Sequence, residues 1–134
     1  MPLELSRQGY YKIYLTPKTE TACSALFMVF STDIKSHSGM HRHQGGLVIY
    51  ILEGEGYTLV DGRKVEWQAG DLILLPIKPG GVEHQHFSGD PGRPCRWVAF
   101  VYRPFTDLLG NEFEQRAESP DWQKREEQVR TRSV

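Results

Sequence analysis

Short runs of aromatic and β-branched residues, separated by glycine or proline, dominate most of this 134-residue chain. Residues 9–15 (GYYKIYL) and 24–32 (SALFMVFST) are rich in the side chains that strands favour. Residues 47–52 (LVIYIL) form a continuous apolar run bounded by glycines, which indicates a buried strand. The dipeptide Asp61-Gly62 between EGYTLV and KVEW predicts a hairpin, because glycine adopts positive φ without steric cost. Seven or eight such runs, about ten residues apart, predict an all-β sandwich or barrel.

The end of the chain differs in character from the rest. Residues 105–118 have a weak helical pattern, and Ser119 followed by Pro120 is typical of a helix start. The charged run that follows predicts a solvated helix. We therefore expect a β-barrel over residues 1–104 and a helical appendage over residues 105–134, which covers a barrel edge or packs on a second subunit.

Composition and charge narrow the functional classes. The net charge is −1 and Lys and Arg are not clustered, so a nucleic-acid partner is not expected. No apolar run approaches the roughly 18–20 residues of a spanning helix, and the first residues lack the pattern of a secretory signal, so we expect a cytoplasmic protein without membrane association. Cys23 and Cys95 fit neither a CxxC nor a Cys/His ligand spacing, which predicts reduced structural cysteines.

Four of the five histidines form two HxH pairs, HRH and HQH. Residues i and i+2 of a strand share a face, so His41 and His43 point to one side and Arg42 points to the other. Two neutral imidazoles on one face form half of a transition-metal site. One such pair is weak evidence, but two pairs, each after a glycine-containing loop, predict a shared metal site on neighbouring strands.

The surroundings of the two pairs resemble the two sequence motifs of the cupin superfamily. The first motif is Gly, five residues, HxH, three or four residues, Glu, six residues and Gly; here HRH is followed by QGG, Leu47, six residues and Gly54. The second contains Pro-x-Gly-x-x-His, which PGGVEH at residues 79–84 fits. The resemblance covers about residues 25–103. It implies a double-stranded β-helix, or jelly-roll, barrel with a metal inside and with short C-terminal helices appended.

The chain departs from these motifs at several positions. Lys35 stands where the first motif begins with glycine, Ser88 stands at the asparagine position of the second, and about three extra residues precede the second motif's proline. The largest departure is Leu47 at the glutamate position, since an aliphatic side chain cannot bind a metal. The resemblance then implies a ligand set of histidines alone, namely His41, His43 and His84.

Three other side chains are alternatives for the missing glutamate: Gln44, Glu83 and His86. Glu83 and His84 alternate along a strand, so both cannot face inward. His84 and His86 can share the inner face. We interpret His86 as a catalytic acid or base beside the metal, because its position matches no ligand of the motif; a fourth ligand is the alternative.

A three-histidine centre resembles the cupin dioxygenases that cleave gentisate, salicylate or β-diketones with Fe(II). Three neutral ligands leave a divalent metal its full charge, which favours anionic chelating substrates and O₂. The resemblance therefore implies Fe(II), a small-molecule substrate bound through two oxygens, O₂ as co-substrate and cleavage of a C–C bond. Imidazole also suits Zn, Ni, Mn and Cu, which remain alternatives. The single barrel is closer in size to the β-diketone enzymes.

The substrate pocket is expected to be largely apolar. Five residues are predicted to face it from two strands, with plain core packing as the alternative for each: Leu47, Ile49, Ile51, Phe100 and Tyr102. Trp97 lies on the other face of its strand from the last two.

Two other functional classes compete with the dioxygenase. One is a small-molecule-binding or sensing cupin without catalysis, and the other is a metal-dependent isomerase or decarboxylase. The glutamate is often kept in the latter, so Leu47 counts against it. We also expect a homodimer, as cupin chains commonly pair. Its face is predicted to comprise residues 25–30 and the tyrosine-rich start, namely Tyr10, Tyr11 and Tyr14.

Overall fold

The computed structural model describes residues 3–19, 26–109 and 113–132, apart from the side chains of Pro17 and residues 105–107. Eleven strands form most of it: β1 (Glu4–Ser6), β2 (Gly9–Leu15), β3 (Phe27–Ile34), β4 (Met40–His43), β5 (Leu47–Glu53), β6 (Glu55–Val60), β7 (Arg63–Gln68), β8 (Leu72–Leu74), β9 (Val82–Ser88), β10 (Cys95–Tyr102) and β11 (Glu114–Ala117). Two α-helices follow β10 and β11, respectively: α1 (Arg103–Leu108) and α2 (Pro120–Arg132). The prediction of an all-β jelly roll with short C-terminal helices is confirmed.

The strands form two antiparallel sheets. One has six strands in the order β1-β2-β3-β10-β5-β8, and the other has five in the order β11-β4-β9-β6-β7. The core consists of inward-facing apolar side chains from both sheets: Ile34, Leu47, Ile49, Ile51, Trp67, Ile73, Leu75, Val82, Cys95, Trp97 and Ala99. In β5 these alternate with exposed side chains such as Tyr50 and Leu52, so the apolar run is buried on one face only.

The hairpin at Asp61-Gly62 is confirmed. Both residues have positive φ, 48° and 79°, and they join β6 to β7 with Val60 opposite Arg63. This is the geometry of a two-residue turn that matches the twist of paired strands.

The C-terminal segment differs in part from the expectation. Residues 105–118 were expected to be weakly helical, but α1 ends at Leu108 and β11 then pairs with the edge of β4. The exposed edge of a sheet offers unpaired backbone groups, and β11 uses them. The helix start at Ser119 and Pro120 is confirmed, since Ser119 accepts the first helical hydrogen bond from the N–H of Gln123. The division at residue 104 stays a prediction.

Of the two cysteines, the structure describes one. Cys95 is buried and unpaired, as expected for a structural cysteine, whereas Cys23 lies outside the described residues.

Among the described residues, no helix has the length and apolar character needed to cross a membrane.

Candidate metal centre

Two adjacent strands of the five-stranded sheet bring three histidines together. β4 carries His41 and His43, and β9 pairs with it so that His41 lies directly opposite His84. Cross-strand partners and i, i+2 neighbours share one face of a sheet. All three rings therefore point to the barrel interior, and Arg42 between the first two points outward.

The three rings are close enough to share one ion. One nitrogen from each of His41, His43 and His84 lies within 4.8 Å of the other two. The centroid of the His84 ring is 4.2 Å from that of His41 and 4.7 Å from that of His43. The His41 and His43 centroids are 5.1 Å apart. The predicted convergence of the two HxH pairs is thus present.

Backbone carbonyls determine which ring nitrogen faces the centre. Nδ1 of His43 donates to the Gln44 carbonyl at 2.7 Å, and Nδ1 of His84 lies 3.3 Å from the Val82 carbonyl. A carbonyl can only accept, so Nδ1 carries the hydrogen and Nε2 keeps its lone pair. Histidine ligands in proteins are oriented by this kind of hydrogen bond.

Burial keeps these rings neutral. Burial is the main cause that lowers the pKa of His41 to about 3, and the charges that nearby His43 and His86 would carry contribute to this shift. The backbone of Gly39 partly opposes this shift, although it does not form a hydrogen bond of normal geometry with the His41 ring. Burial is also the main cause that lowers the pKa of His43 and holds that of His84 well below its usual range. Neutral imidazoles have lone pairs available for a metal at neutral pH.

The donor set fits a divalent transition metal. Three neutral imidazoles on one face suit iron, zinc, copper or nickel, and a hard cation such as calcium would require oxygen ligands instead. No Asp, Glu, Lys or Arg is among the buried residues that the structure describes. Within the described residues, the group of potential ligand atoms that lie within 4.8 Å of one another consists of the three histidines and includes no carboxylate.

Two of the alternatives for the missing glutamate are engaged elsewhere. Oε1 of Gln44 accepts the backbone N–H groups of Gly45 and Lys78, at 3.0 and 3.1 Å, and its Nε2 donates to the Lys78 carbonyl. Glu83 lies on the outer face, 4.0 Å from Arg42 and 3.5 Å from Arg116. Gln44 therefore ties two loops together, and Glu83 belongs to a surface ion-pair network.

His86 lies beside the three-histidine group and is not part of it. Its ring centroid is 5.5 Å from that of His84, and the residue is only 2% exposed. Its Nδ1 is 2.8 Å from Oγ1 of Thr58, its cross-strand partner on β6, and Nε1 of Trp67 donates to the same oxygen at 2.9 Å. Burial, followed by the charge that a protonated His43 would carry, lowers the pKa of His86 to about 3.

Two aromatic rings border this row of histidines. The Phe113 ring packs almost parallel to those of His41 and His43. Its centroid lies 5.2 Å from that of His41 and 5.9 Å from that of His43. Trp97 packs on His86 at the other end, at 5.0 Å. Phe113 could not be predicted from the sequence because it precedes a short polar strand, EQRA, that shows no alternation of apolar and polar residues. Thr58 and Trp67 were not predicted either, because their position in predicted strands was the only signal.

The expected pocket residues divide into two groups. Leu47, Ile49 and Ile51 face inward and are buried, and their role in a substrate pocket stays a prediction. Phe100 and Tyr102 are 42% and 45% exposed on the outer face of β10, so that part of the expectation is wrong. They alternate with the buried residues of β10, including Trp97, and no sequence pattern in β10 indicates which of its faces is the inner one.

A sequence profile described as the cupin domain matches residues 29–101. The chain is 43% identical over 65 residues to a gentisate 1,2-dioxygenase of Ralstonia, and 34% identical over 91 residues to one of Streptomyces. These alignments cover 48% and 66% of this chain but only 17% and 24% of the relatives. The chain thus spans a quarter or less of the curated relatives that it matches.

Solved structures agree on the fold. A cupin-like protein of Thermotoga maritima superposes with a TM-score of 0.63 at 17% identity, over 84% of this chain and 79% of that one. A variant of salicylate 1,2-dioxygenase from Pseudoaminobacter salicylatoxidans, in complex with gentisate, superposes with a TM-score of 0.56 at 25% identity. That match covers 69% of this chain and 26% of the other.

Proposed function

This chain belongs to the cupin family, and from that premise we propose that it is a metal-dependent dioxygenase acting on a small chelating substrate. The proposed ligands are His41, His43 and His84, and the proposed metal is Fe(II). When bound, such an ion would supply a Lewis acid with open positions and a site for O₂ chemistry. The convergence of three neutral imidazoles, with no carboxylate from the described residues in the group, is the observation that carries the proposal.

The charge of the site supports an anionic substrate. Because neutral ligands do not offset the charge of a divalent ion, an anion that binds through two oxygens gains the full electrostatic attraction in a low-dielectric interior. Relatives with gentisate in their names, and a solved neighbour in complex with gentisate, support hydroxylated aromatic acids as the substrate class. A β-diketone that binds as its enolate has the same chelating chemistry and is the alternative substrate.

We infer that His86 donates a hydrogen bond into the site and does not bind the metal. The indole N–H of Trp67 donates to the Thr58 oxygen, and in the arrangement that we infer the Thr58 hydroxyl donates its own hydrogen to Nδ1 of His86. The imidazole hydrogen then lies on Nε2. β6 and β4 flank β9 on opposite sides, so we place this Nε2–H on the side of the ring away from Thr58, where β4 carries His41 and His43. There it can hold or pass a proton at the oxygen atoms of a substrate.

Oxygen uptake tests the activity. The protein is loaded with Fe(II) under argon and mixed with aerated buffer that contains gentisate, salicylate or acetylacetone. We expect substrate-dependent O₂ consumption and a ring- or chain-cleaved product, both abolished in His84→Ala. His37→Ala is the matched control, since His37 is outside the three-histidine group and should leave uptake unchanged. No uptake with any of these substrates by the iron-loaded protein would contradict the proposal and favour a binding module.

The expected homodimer also remains a proposal, and we now place its interface on a different surface from the predicted one, which comprised residues 25–30 with Tyr10, Tyr11 and Tyr14. The outer face of the six-stranded sheet carries exposed apolar residues on three neighbouring strands: Tyr50, Leu52, Leu72, Leu74, Phe100 and Tyr102. A continuous apolar surface of this kind marks an interaction site, and a second copy of the chain presents the same surface for self-complementary pairing.

A further inference from the structure

We propose that Phe113 forms an aromatic wall of the substrate site and selects a planar aromatic chelator over an aliphatic one. The inference rests on the proposed function, because it names the substrate class of the same site. Nothing in the two HxH motifs indicates it, and it depends on how β11 joins the sheet.

The pairing of β11 places Phe113 on the inner face. Gln115 lies opposite His41, and cross-strand partners share a face. Phe113 is two residues before Gln115 along an extended chain, so it also faces inward. The contacts agree with this placement, since its ring is inclined by only 24° to His41 and 15° to His43.

The exposure of Phe113 separates it from the other aromatic residues near the histidines. It is 56% exposed although it packs against two of the three rings, whereas Trp97 and Trp67 are each 4% exposed. Phe113 is therefore at the open side of the cluster, and the two tryptophans close the buried side. On this side, a ligand that approaches the ring nitrogens of His41 and His43 would meet the Phe113 ring that packs on them.

The chemistry of the surrounding residues favours recognition by stacking. No Lys or Arg in the described ranges is buried near the histidines, so an anionic group there has the metal as its cationic partner. The remainder of the ligand meets apolar and aromatic surface. Offset stacking between aromatic rings would make the affinity for a flat ring about three- to ten-fold higher than with an aliphatic side chain at this position.

Two probes separate chelation from stacking. Salicylate and acetylacetone both chelate through two oxygens in a six-membered ring, and only salicylate carries an aromatic ring. Their binding to the Zn(II)-loaded protein is measured by titration calorimetry, so the readout does not depend on turnover. The variants are Phe113→Leu, which removes the ring at similar volume, and Phe113→Tyr, which keeps it.

We expect Phe113→Leu to weaken salicylate binding three- to ten-fold and to change acetylacetone binding less than two-fold. Phe113→Tyr should bind both probes within two-fold of the wild type, and all three proteins should hold equal amounts of zinc. The inference is overturned if Phe113→Leu leaves salicylate affinity unchanged, weakens both probes equally, or loses zinc. If the zinc-loaded wild type binds neither probe, the chelating site itself is wrong, and the proposed function fails with it.

Discussion

At the scale of single residues, burial determines the protonation of the histidines. The sheets remove His41, His84 and His86 from water, and a charged imidazole is costly there. The same burial makes the rings available as ligands at neutral pH. It also makes the free energy of unfolding depend on pH, because these histidines bind protons in the unfolded chain at pH values at which they stay neutral in the folded chain.

The first prediction concerns acid stability. The folded pKa values of His41 and His86 lie at about 3, below the ordinary value of 6.5, so the metal-free protein should lose stability as pH falls from about 6.5 towards 3. Each such group should cost about 1.4 kcal/mol of unfolding free energy per pH unit in that window. Urea denaturation at several pH values checks this. Replacing His86 by Gln should make the dependence shallower, and an equally steep dependence in that variant would contradict the assignment.

The second prediction concerns Thr58. Thr58→Val removes the hydroxyl that links Trp67 to His86, leaves buried polar groups unpaired, and should cost about 1–3 kcal/mol of stability. We expect iron content to stay the same while O₂ uptake falls and its pH profile shifts. Thr58→Ser, which keeps the hydroxyl, should restore both. Iron loss in Thr58→Val would show that Thr58 supports the ligands themselves.

At the scale of elements, the strands rich in aromatic and β-branched residues could be predicted from the sequence, and β11 could not. The Asp61-Gly62 turn and the continuous apolar run of β5 between glycines are local signals. The pairing of β11 with β4 is non-local, and β11 itself consists of three polar residues and one alanine, so no apolar periodicity in its sequence predicts the strand. The loops beside the site depend equally on non-local contacts.

The third prediction uses one such contact. A Cβ atom on Gly45 would lie 1.8 Å from the Pro76 carbonyl oxygen, so Gly45→Ala must displace the loop that follows His43 and Gln44. We expect about 3 kcal/mol of destabilisation and a loss of metal occupancy. Gly62→Ala is the control: its surroundings are open, and its positive φ should cost about 1 kcal/mol. Thermal melts and metal analysis compare the two, and equal effects would argue against the loop contact.

At the scale of the whole molecule, the sequence predicted that the histidines of two separate segments meet inside the barrel. It did not indicate which face of β10 is the inner one. The three ligand candidates could be predicted because HxH spacing and strand geometry combine with the resemblance to the two cupin motifs. Phe100 and Tyr102 were misplaced because a strand with apolar residues on both faces gives no inward direction. Those residues instead belong to the outer surface of the six-stranded sheet.

The fourth prediction follows from that surface. Leu72 and Leu74 are 65% and 69% exposed on β8, next to Tyr50 and Val48 of β5. Replacing Leu74 by Lys should convert a dimer to a monomer, as measured by light scattering after size-exclusion chromatography, with the Tm changed little. Val65→Lys, on the other sheet, is the control. A wild-type monomer, or a Leu74→Lys dimer, would contradict this use of the face.

The iron content of the protein after anaerobic loading and desalting tests the three-histidine metal centre most directly. The three-histidine centre predicts about one Fe(II) per chain, reduced to near zero in His41→Ala, His43→Ala and His84→Ala and unchanged in Glu83→Gln. Wild-type protein without stoichiometric iron, or iron retained after removal of His84, would contradict the claim that these rings alone hold the metal.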